Sequence, residues 1–249
     1  MNPAYSYIGI DDTDNLESPG TGSRARELIT LLEEQGLGTG IAVTRHQLLV
    51  DDRVPYTSHN SSACIVIKRN QGISDDALMD FCRNYLLDIA AEGSDVGLCL
   101  AGPDQAESAI NFGQKAKIEL VQQAEAFTVA TDAGIRLEGL TGTHQGVIGA
   151  LSAVGLHVYG NDGRYLWPRD IRDHEGKTLS MSTLRQTRGI EKISLAGGIE
   201  VNDDLAQVAL GEWPRTVRIN HHAVLLVEPE HAEHHYKVLE KPDIKSIRP

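Results

Sequence analysis

The 249-residue sequence is poor in cysteine and in aromatic residues, and acidic side chains outnumber basic ones. Its three cysteines, Cys64, Cys82 and Cys99, are odd in number, widely spaced and set among apolar residues. This spacing supports neither a disulfide framework nor a zinc site built from paired cysteines. We therefore expect three buried thiols in a reducing cytoplasm.

The formal net charge of −12 argues against a broad electropositive surface, so DNA is not expected as a partner. No apolar run is long enough to span a bilayer, and no signal peptide is visible, so we expect no membrane partner and a cytoplasmic location. With 41% hydrophobic and 23% charged residues, the composition is that of a globular protein. The length suffices for one large domain or two small ones.

The most informative stretch covers residues 7–28, which read YIGIDDTDNLESPGTGSRAREL. A short apolar run ends in three carboxylates, Asp11, Asp12 and Asp14, and a helical pattern follows a glycine-bracketed turn. This order predicts a strand, an acidic loop and a helix N-terminus. Because crowded carboxylates repel one another, a bound divalent cation such as Mg²⁺ would hold them together.

The turn before the predicted helix consists of Gly20, Thr21, Gly22 and Ser23. Its glycines would let backbone N–H groups approach an anion, and Ser23 lies where the positive end of the helix would point at phosphate oxygens. A metal and a phosphate together indicate a nucleotide. No Lys follows the glycines, so the turn is not a Walker A loop. The alternative stays open that Thr21 or Ser23 is an ordinary N-cap and that nothing binds.

A polar loop at residues 54–62 leads into a predicted strand at 63–67. Binding groups are common in such loops, and His59 and Asn60 are the candidate side chains. The alternative is a surface turn closed by local hydrogen bonds of Ser and Asn.

In a third segment, residues 141–155, glycines precede a helix rich in alanine and glycine. The small residues Gly146, Gly149, Ala150 and Ala153 would let this helix lie close to another backbone or to a ligand. By themselves these residues favour close packing alone.

The remaining pattern predicts further elements, which we give in chain order. They are a helix stopped by Gly36, a β segment at 40–50, a helix at 74–91 with Ser74 as N-cap, a strand at 95–101, a long helix from 104 to about 133, a strand at 135–140, β segments at 190–201 and 216–227, and a short helix near 203–210. The strand, helix, strand, helix order is typical of a ferredoxin-like unit.

Five histidines, His221, His222, His231, His234 and His235, lie close together in the sequence. Adjacent histidines in a strand point to opposite faces, and no carboxylate or cysteine pattern completes a zinc motif. We expect these histidines to be structural or solvated.

Three separated segments resemble motifs of the archaeal tRNA-isoleucine agmatinylcytidine synthetases. They are GIDDTD at 9–14, VPYTSHN at 54–60, and GVIGAL at 146–151 with AVG at 153–155. The segments occur in that family's order and rough spacing. The resemblance implies an α/β (α+β) fold with a kinase-like catalytic domain split around a ferredoxin-like domain. Residues 1–61 and 136–170 would then form the catalytic domain, 62–135 the ferredoxin-like domain, and 171–249 a β-rich segment.

The resemblance also implies ATP and Mg²⁺ as cofactors, bound by the acidic loop, and places Ser23 near a Thr that accepts phosphate in the family. Arg24 or Arg26 would stabilise the transferring group. The candidate residues are catalytic Asp11, Asp12 and Ser23; metal-binding Asp11, Asp12 and Asp14; and cofactor-binding Asp14, Gly20, Thr21, Gly22, Arg24, His59, Asn60, Gly146 and Gly149.

The chain also departs from the family pattern. His144-Gln145-Gly146 replaces a basic element, His59 stands where the family tends to carry Arg, and no OB-fold or zinc-ribbon pattern is visible. The leading prediction is an ATP- and Mg²⁺-dependent phosphotransferase or phosphate-activating ligase acting on an unknown polar acceptor, either a small molecule or RNA. The alternatives are an RNA-modification subunit related to these synthetases and a non-catalytic nucleotide-binding module. A homo-oligomer is left open.

Overall fold

The computed structural model describes residues 5–54, 59–240 and 242–244. The chain divides into two compact units, Met1–Gly163 and Arg164–Pro249, called here the N-terminal and the C-terminal unit. The C-terminal unit has 13 Lys and Arg against 13 Asp and Glu, so the whole net charge of −12 lies in the N-terminal unit.

The N-terminal unit is built around one sheet. Its elements are β1 (Tyr5–Asp11), α1 (Thr21–Glu34), β2 (Gly38–Gln47), β3 (Ser61–Arg69), α2 (Asp75–Ile89), β4 (Gly97–Ala101), α3 (Pro103–Glu107), α4 (Ile110–Lys115), α5 (Gln123–Ala133), β5 (Arg136–Gly139) and α6 (Gly146–Tyr159). These strands pair antiparallel in the order β5-β4-β1-β3-β2. The acidic loop therefore follows the central strand.

Helix α6 packs on the sheet through direct contact between backbones. A Cβ added to Gly9 of β1 would come 1.9 Å from the carbonyl oxygen of Ala150, and one added to Gly97 of β4 would come 2.1 Å from the carbonyl carbon of Gly146. Only glycine permits an approach this close. The predicted close packing of this helix against another backbone is confirmed.

Several other predictions hold for this unit. The mixture of helices and sheet confirms the α/β (α+β) class. The hydroxyl of Ser74 accepts the N–H of Ala77 at 3.1 Å, as expected of an N-cap, and Gly36 follows the end of α1 with a φ of +67°. All three cysteines are buried and free of disulfides.

The single long helix predicted at 104–133 is wrong. The chain forms the three shorter helices α3, α4 and α5 instead. Gly113 of α4 lies so close to α6 that an added Cβ would come 2.9 Å from the carbonyl oxygen of Ser152, and residues 119–122 line a cavity rather than continue the helix. Contacts with α6 therefore override the apolar periodicity on which the prediction rested.

The C-terminal unit is mainly β structure. Its elements are β6 (Arg164–Trp167), a 3₁₀ helix (Asp170–His174), β7 (Thr178–Ser180), α7 (Met181–Gln186), β8 (Lys192–Leu195), β9 (Gln207–Ala209), β10 (Val217–Ile219), β11 (His222–Pro229) and β12 (His235–Val238). The strands follow the order β6-β10-β11-β12-β9-β7, and β8 pairs with β11 in parallel. The largest buried cluster includes Met181, Leu184, Val208 and Leu225.

Two predictions fail in this unit. The helix predicted near 203–210 is a turn, in which the Asp203 carboxylate accepts the N–H of Leu205 at 3.1 Å, followed by strand β9. The β segment predicted at 216–227 is two strands joined at Asn220 and His221, whose φ values are +46° and +66°. Two consecutive positive φ values are typical of a type I′ hairpin turn.

Strands from the segments 1–61, 62–135 and 136–170 lie in the same sheet of the N-terminal unit. Their assignment to a catalytic and a ferredoxin-like domain, with 171–249 as a separate segment, stays a prediction. Within the described residues, no helix combines the length and the apolar character needed to cross a membrane.

Candidate active site

A cavity of about 300 Å³ opens in the N-terminal unit where β1 ends and α1 and α6 begin. Eight of the residues predicted from the sequence line it: Asp11, Asp12, Asp14, Thr21, His59, Asn60, Gly146 and Gly149. They come from three separate segments, which the fold brings together. The opposite wall is apolar and includes Leu48, Leu49, Leu120, Val121 and Ile148.

The remaining candidates belong to the N-terminal end of α1 and are not among the described lining residues. Gly20 is the N-cap position, so neither Thr21 nor Ser23 fills it. The Ser23 hydroxyl accepts a hydrogen bond from Arg26 at 3.2 Å, and Arg24 pairs with Glu27 at 3.1 Å. The roles predicted for Gly20, Gly22, Ser23 and Arg24 stay predictions.

Asp14 fastens the acidic loop to the start of α1. Its Oδ1 accepts the N–H of Thr21 at 2.9 Å and the Thr21 hydroxyl at 2.7 Å. Thr13 adds bonds from its own N–H and hydroxyl to the same Thr21 oxygen, at 3.3 and 3.1 Å. A carboxylate here is stabilised by the partial positive charge of the helix N-terminus.

Asp12 has a left-handed backbone, with a φ of +51°, and its carboxylate accepts the N–H of Asp95 at 3.3 Å. The Asp95 carboxylate in turn accepts the N–H and, at 2.6 Å, the hydroxyl of Thr143, while its carbonyl accepts the N–H of Gly146 at 2.9 Å. Asp95 therefore connects the acidic loop to the loop that precedes α6. Sequence reasoning missed this residue, whose only signal is a carboxylate in front of a buried strand.

Asp11 lies against the first turn of α6, since a Cβ added to Gly149 would come 1.8 Å from its Oδ2. Burial and the neighbouring charges of Asp12 and Asp14 raise the pKa of Asp11 to about 8. Burial is also the main reason why the pKa of Asp12 lies above its ordinary value, with the charges of Asp95 and Asp14 acting in the same direction. The site therefore favours the arrival of positive charge.

Arg45 of β2 is a cation near these carboxylates that sequence reasoning also missed. Burial lowers its pKa, and the charges of Asp14 and Asp11 partly offset that effect. Its Nε donates a hydrogen bond to the Ser61 hydroxyl at 2.9 Å. The only sequence signal was an arginine within an otherwise apolar strand pattern.

The donor set fits Mg²⁺ bound together with phosphate better than a metal enclosed by protein. Within the described ranges, no group of three or more His, Cys, Asp or Glu is arranged to hold a metal ion. Mg²⁺ commonly takes only one or two carboxylates and completes its shell with phosphate oxygens and water. Asp11 and Asp12, whose ionised forms are disfavoured in the protein alone, suit that arrangement.

The polar loop at 54–62 is only partly described, because residues 55–58 lie outside the described residues. His59 is exposed and lines the cavity. The Asn60 side chain donates to the carbonyl of Leu49 at 2.7 Å, so it holds this loop against the chain after β2. A role of either side chain in cofactor binding stays a prediction.

The histidines of the C-terminal unit pair with carboxylates where the structure gives them a partner. His234 Nδ1 lies 2.8 Å from Asp203, and His222 Nδ1 lies 3.3 Å from Glu191. The hydrogen bond to Asp203 and the charge of that carboxylate raise the pKa of His234. These pairs agree with the structural or solvated role expected from the sequence.

No model of a known protein family matches the chain. Over 152 residues it is 29% identical to an uncharacterized protein of Methanocaldococcus jannaschii, an alignment that covers 60% of this chain and 49% of that protein. The chain thus spans about half the length of the curated relative it matches.

The N-terminal fold is that of an α/β protein similar to TiaS, an agmatidine synthetase that acts on an isoleucine tRNA. The TiaS complex with this tRNA and ATP matches with a TM-score of 0.54 and 24% identity, over 61% of this chain and 36% of that one. Apo TiaS matches with a TM-score of 0.53 and 23% identity, over 61% and 35% of the two chains. The predicted resemblance to these synthetases is confirmed at the level of the fold.

Proposed function

We propose that this protein is an ATP-dependent RNA-modification enzyme, or a subunit of one, whose catalytic unit is related to TiaS. The proposal is carried by the convergence of Asp11, Asp12, Gly146 and Gly149 on one cavity. It is supported by a fold shared with TiaS, which has been solved together with its tRNA and ATP. Because the entire negative charge lies in the N-terminal unit, we place part of the RNA contact on a basic partner chain.

Each part of the cavity has a proposed task. Asp11 and Asp12 hold Mg²⁺ and so bring the ATP phosphates to the end of β1. Mg²⁺, when bound, neutralises charge on those phosphates. Asp14 keeps the first turn of α1 against the acidic loop through Thr21, and Gly149 gives the Asp11 carboxylate its space. We retain Ser23 as a phosphate acceptor only as a candidate to be tested.

Nucleotide binding is tested by isothermal titration with ATP in the presence of Mg²⁺. We compare the wild type with the double variant Asp11→Ala, Asp12→Ala, and with Asp88→Ala, which changes an exposed carboxylate on α2. Binding should be lost in the double variant and kept in Asp88→Ala. No binding by the wild type, or equal binding by all three proteins, overturns the nucleotide site.

RNA is tested separately by sequencing RNA that co-purifies with the protein, and by incubation of the protein with tRNA and labelled ATP. Label or mass added to RNA supports the proposal. ATP cleavage that ignores RNA supports the second candidate, a phosphotransferase acting on a small polar acceptor. Tight ATP binding with no turnover and no phosphoserine at Ser23 identifies a non-catalytic nucleotide-binding module.

A further inference from the structure

A second polar cluster lies inside the N-terminal unit, away from the residues that line the cavity. Asp162 Oδ1 lies 2.8 Å from His46 Nδ1, and Thr44 Oγ1 lies 2.8 Å from both His46 Nε2 and His157 Nδ1. Thr44 and His46 are completely buried, and His157 is 4% exposed. Hydroxyl, imidazole and carboxylate stand in the order of a nucleophilic triad, but burial leaves no access for a substrate.

The cluster is connected to the cavity wall through Lys117. The Lys117 ammonium lies 2.7 Å from Asp162 Oδ2 and donates to the carbonyl of Gln47 at 3.1 Å. Gln47 directly precedes Leu48, and Lys117 directly follows Ala116; Leu48 and Ala116 both line the cavity. Lys117 therefore holds together the two chain segments that form the apolar wall.

Those two segments are also joined by one backbone bond. The N–H of Leu49 donates to the carbonyl of Ala116 at 3.1 Å. Leu48, Ala116 and Leu156 of α6 form a buried apolar cluster at the same place. The amide of Leu49 is consequently a local reporter of whether the wall is intact.

The charges of the cluster determine where its protons lie. Burial raises the pKa of Asp162, but the interactions with His46 and Lys117 outweigh it, and the pKa lies below its ordinary value. The ionised Asp162 is therefore already balanced by the charged Lys117. A second cation on the buried His46 would be uncompensated, which is strongly unfavourable. The remaining titratable groups around the cluster are His157 itself and Tyr7, whose ring centroid lies 5.8 Å from that of His157.

A neutral His46 fixes the direction of every hydrogen bond in the chain. Its single proton must sit on Nδ1 to donate to Asp162, so its Nε2 accepts from the Thr44 hydroxyl. The Thr44 oxygen then accepts from His157, whose proton also sits on Nδ1. We propose that Lys117 is a positioning residue, which sets this direction by balancing Asp162 and holds the apolar wall of the cavity in place.

The proposal predicts a specific rearrangement in Lys117→Met. Without the ammonium, Asp162 lacks its cation, and His46 takes up one proton from solvent on Nε2. The imidazolium then donates to Thr44, and the Thr44 hydroxyl turns to donate to His157 Nδ1. His157 must give up its proton there and carry one on Nε2, so its net charge is unchanged while its tautomer is reversed.

Two-bond ¹H–¹⁵N spectra of histidine-labelled protein measure these states directly, whereas coordinates alone leave tautomers to be assigned. The wild type should show neutral His46 and His157, both protonated on Nδ1. Lys117→Met should show doubly protonated His46 and the Nε2 tautomer of His157. The control is Lys115→Met, because Lys115 pairs at 2.8 Å with Glu125 on the surface of the same segment. A doubly protonated His46 in the wild type, or an unchanged His157 in Lys117→Met, overturns the proposed direction.

Amide hydrogen exchange tests the effect on the wall. Exchange at Leu49 should become at least tenfold faster in Lys117→Met and stay unchanged in Lys115→Met. Equal rates in all three proteins overturn the positioning role. If Lys117→Met does not fold, Asp162→Asn replaces it, and it should keep both wild-type tautomers while exchange at Leu49 rises. Neither measurement uses nucleotide, so both remain decisive if the proposed function fails.

Discussion

The carboxylate of Asp11 occupies the space that a side chain at position 149 would fill, because a Cβ on Gly149 would come 1.8 Å from Asp11 Oδ2. The end of the central strand and the first turn of α6 are thus fitted to each other at one pair of residues. This contact explains a glycine inside a helix, where alanine would otherwise be favoured by about 1 kcal/mol.

Gly149→Ala should therefore destabilise the protein and weaken ATP binding at least tenfold, despite the better helix propensity of alanine. The added methyl displaces Asp11 from its place beside Asp12. Thermal unfolding and titration with ATP and Mg²⁺ measure the two effects. Gly20→Ala is the matched control, because its Cβ would lie 3.7 Å from Asp14 Oδ2, an ordinary contact distance. Equal behaviour of both variants would refute the steric argument.

The raised pKa of Asp11 makes stability depend on pH. With a folded-state pKa of about 8 against an ordinary 3.8, the folded protein keeps a proton that the unfolded chain loses between these values. The stabilising contribution is present below a pH of about 4 and is lost as the pH rises through about 8. Asp11→Asn should gain in melting temperature over the wild type as the pH is raised from 5 to 8. A constant difference between the two proteins would contradict the shift.

Binding of Mg²⁺ with ATP should have the opposite pH dependence. A cation requires the ionised form of Asp11, so it must displace a proton from the carboxyl at neutral pH. The affinity measured by titration should rise between pH 6 and 8.5 in the wild type and lose most of this slope in Asp11→Asn. An equal slope in the two proteins would show that Asp11 does not bind the cation.

Asp95→Ala should destabilise the N-terminal unit by about 1–3 kcal/mol, because it leaves the N–H and hydroxyl of Thr143 without their acceptor. The loop before α6 then loses its connection to the acidic loop, and ATP affinity should fall with it. Urea unfolding and titration measure these changes. Asp132→Ala, which changes an exposed carboxylate on α5, should alter neither quantity.

Two buried serines of the same sheet should respond in opposite ways to replacement by alanine. Ser62 is 1% exposed, and its hydroxyl has no hydrogen-bond partner among the described residues. Ser6 is fully buried, and its hydroxyl accepts from Arg69 at 2.8 and 3.0 Å. Ser62→Ala should be neutral or stabilising by up to about 1 kcal/mol, and Ser6→Ala destabilising by about 1–3 kcal/mol. Urea unfolding checks both, and a destabilised Ser62→Ala would indicate a partner for that hydroxyl.

The sequence by itself determined what depends on neighbouring residues. The apolar run that ends in Asp11, Asp12 and Asp14, the N-cap at Ser74 and the small residues of α6 each follow from local chemistry. These features suffice for the fold class, for the acidic loop at the end of β1 and for the close packing of α6. They also carry the resemblance to the agmatinylcytidine synthetases, which the shared fold with TiaS confirms.

Only the tertiary structure decided which distant residues complete the site. Asp95 bonds to Asp12 across 83 positions, and Asp162 bonds to His46 across 116, so no local pattern could reveal either pair. The helix predicted at 104–133 broke for the same reason, since contact with α6 outweighed its apolar period. Hydrogen-bond geometry and burial act over a few ångströms in space. Where the chain brings remote segments that close, space rather than sequence order determines the chemistry.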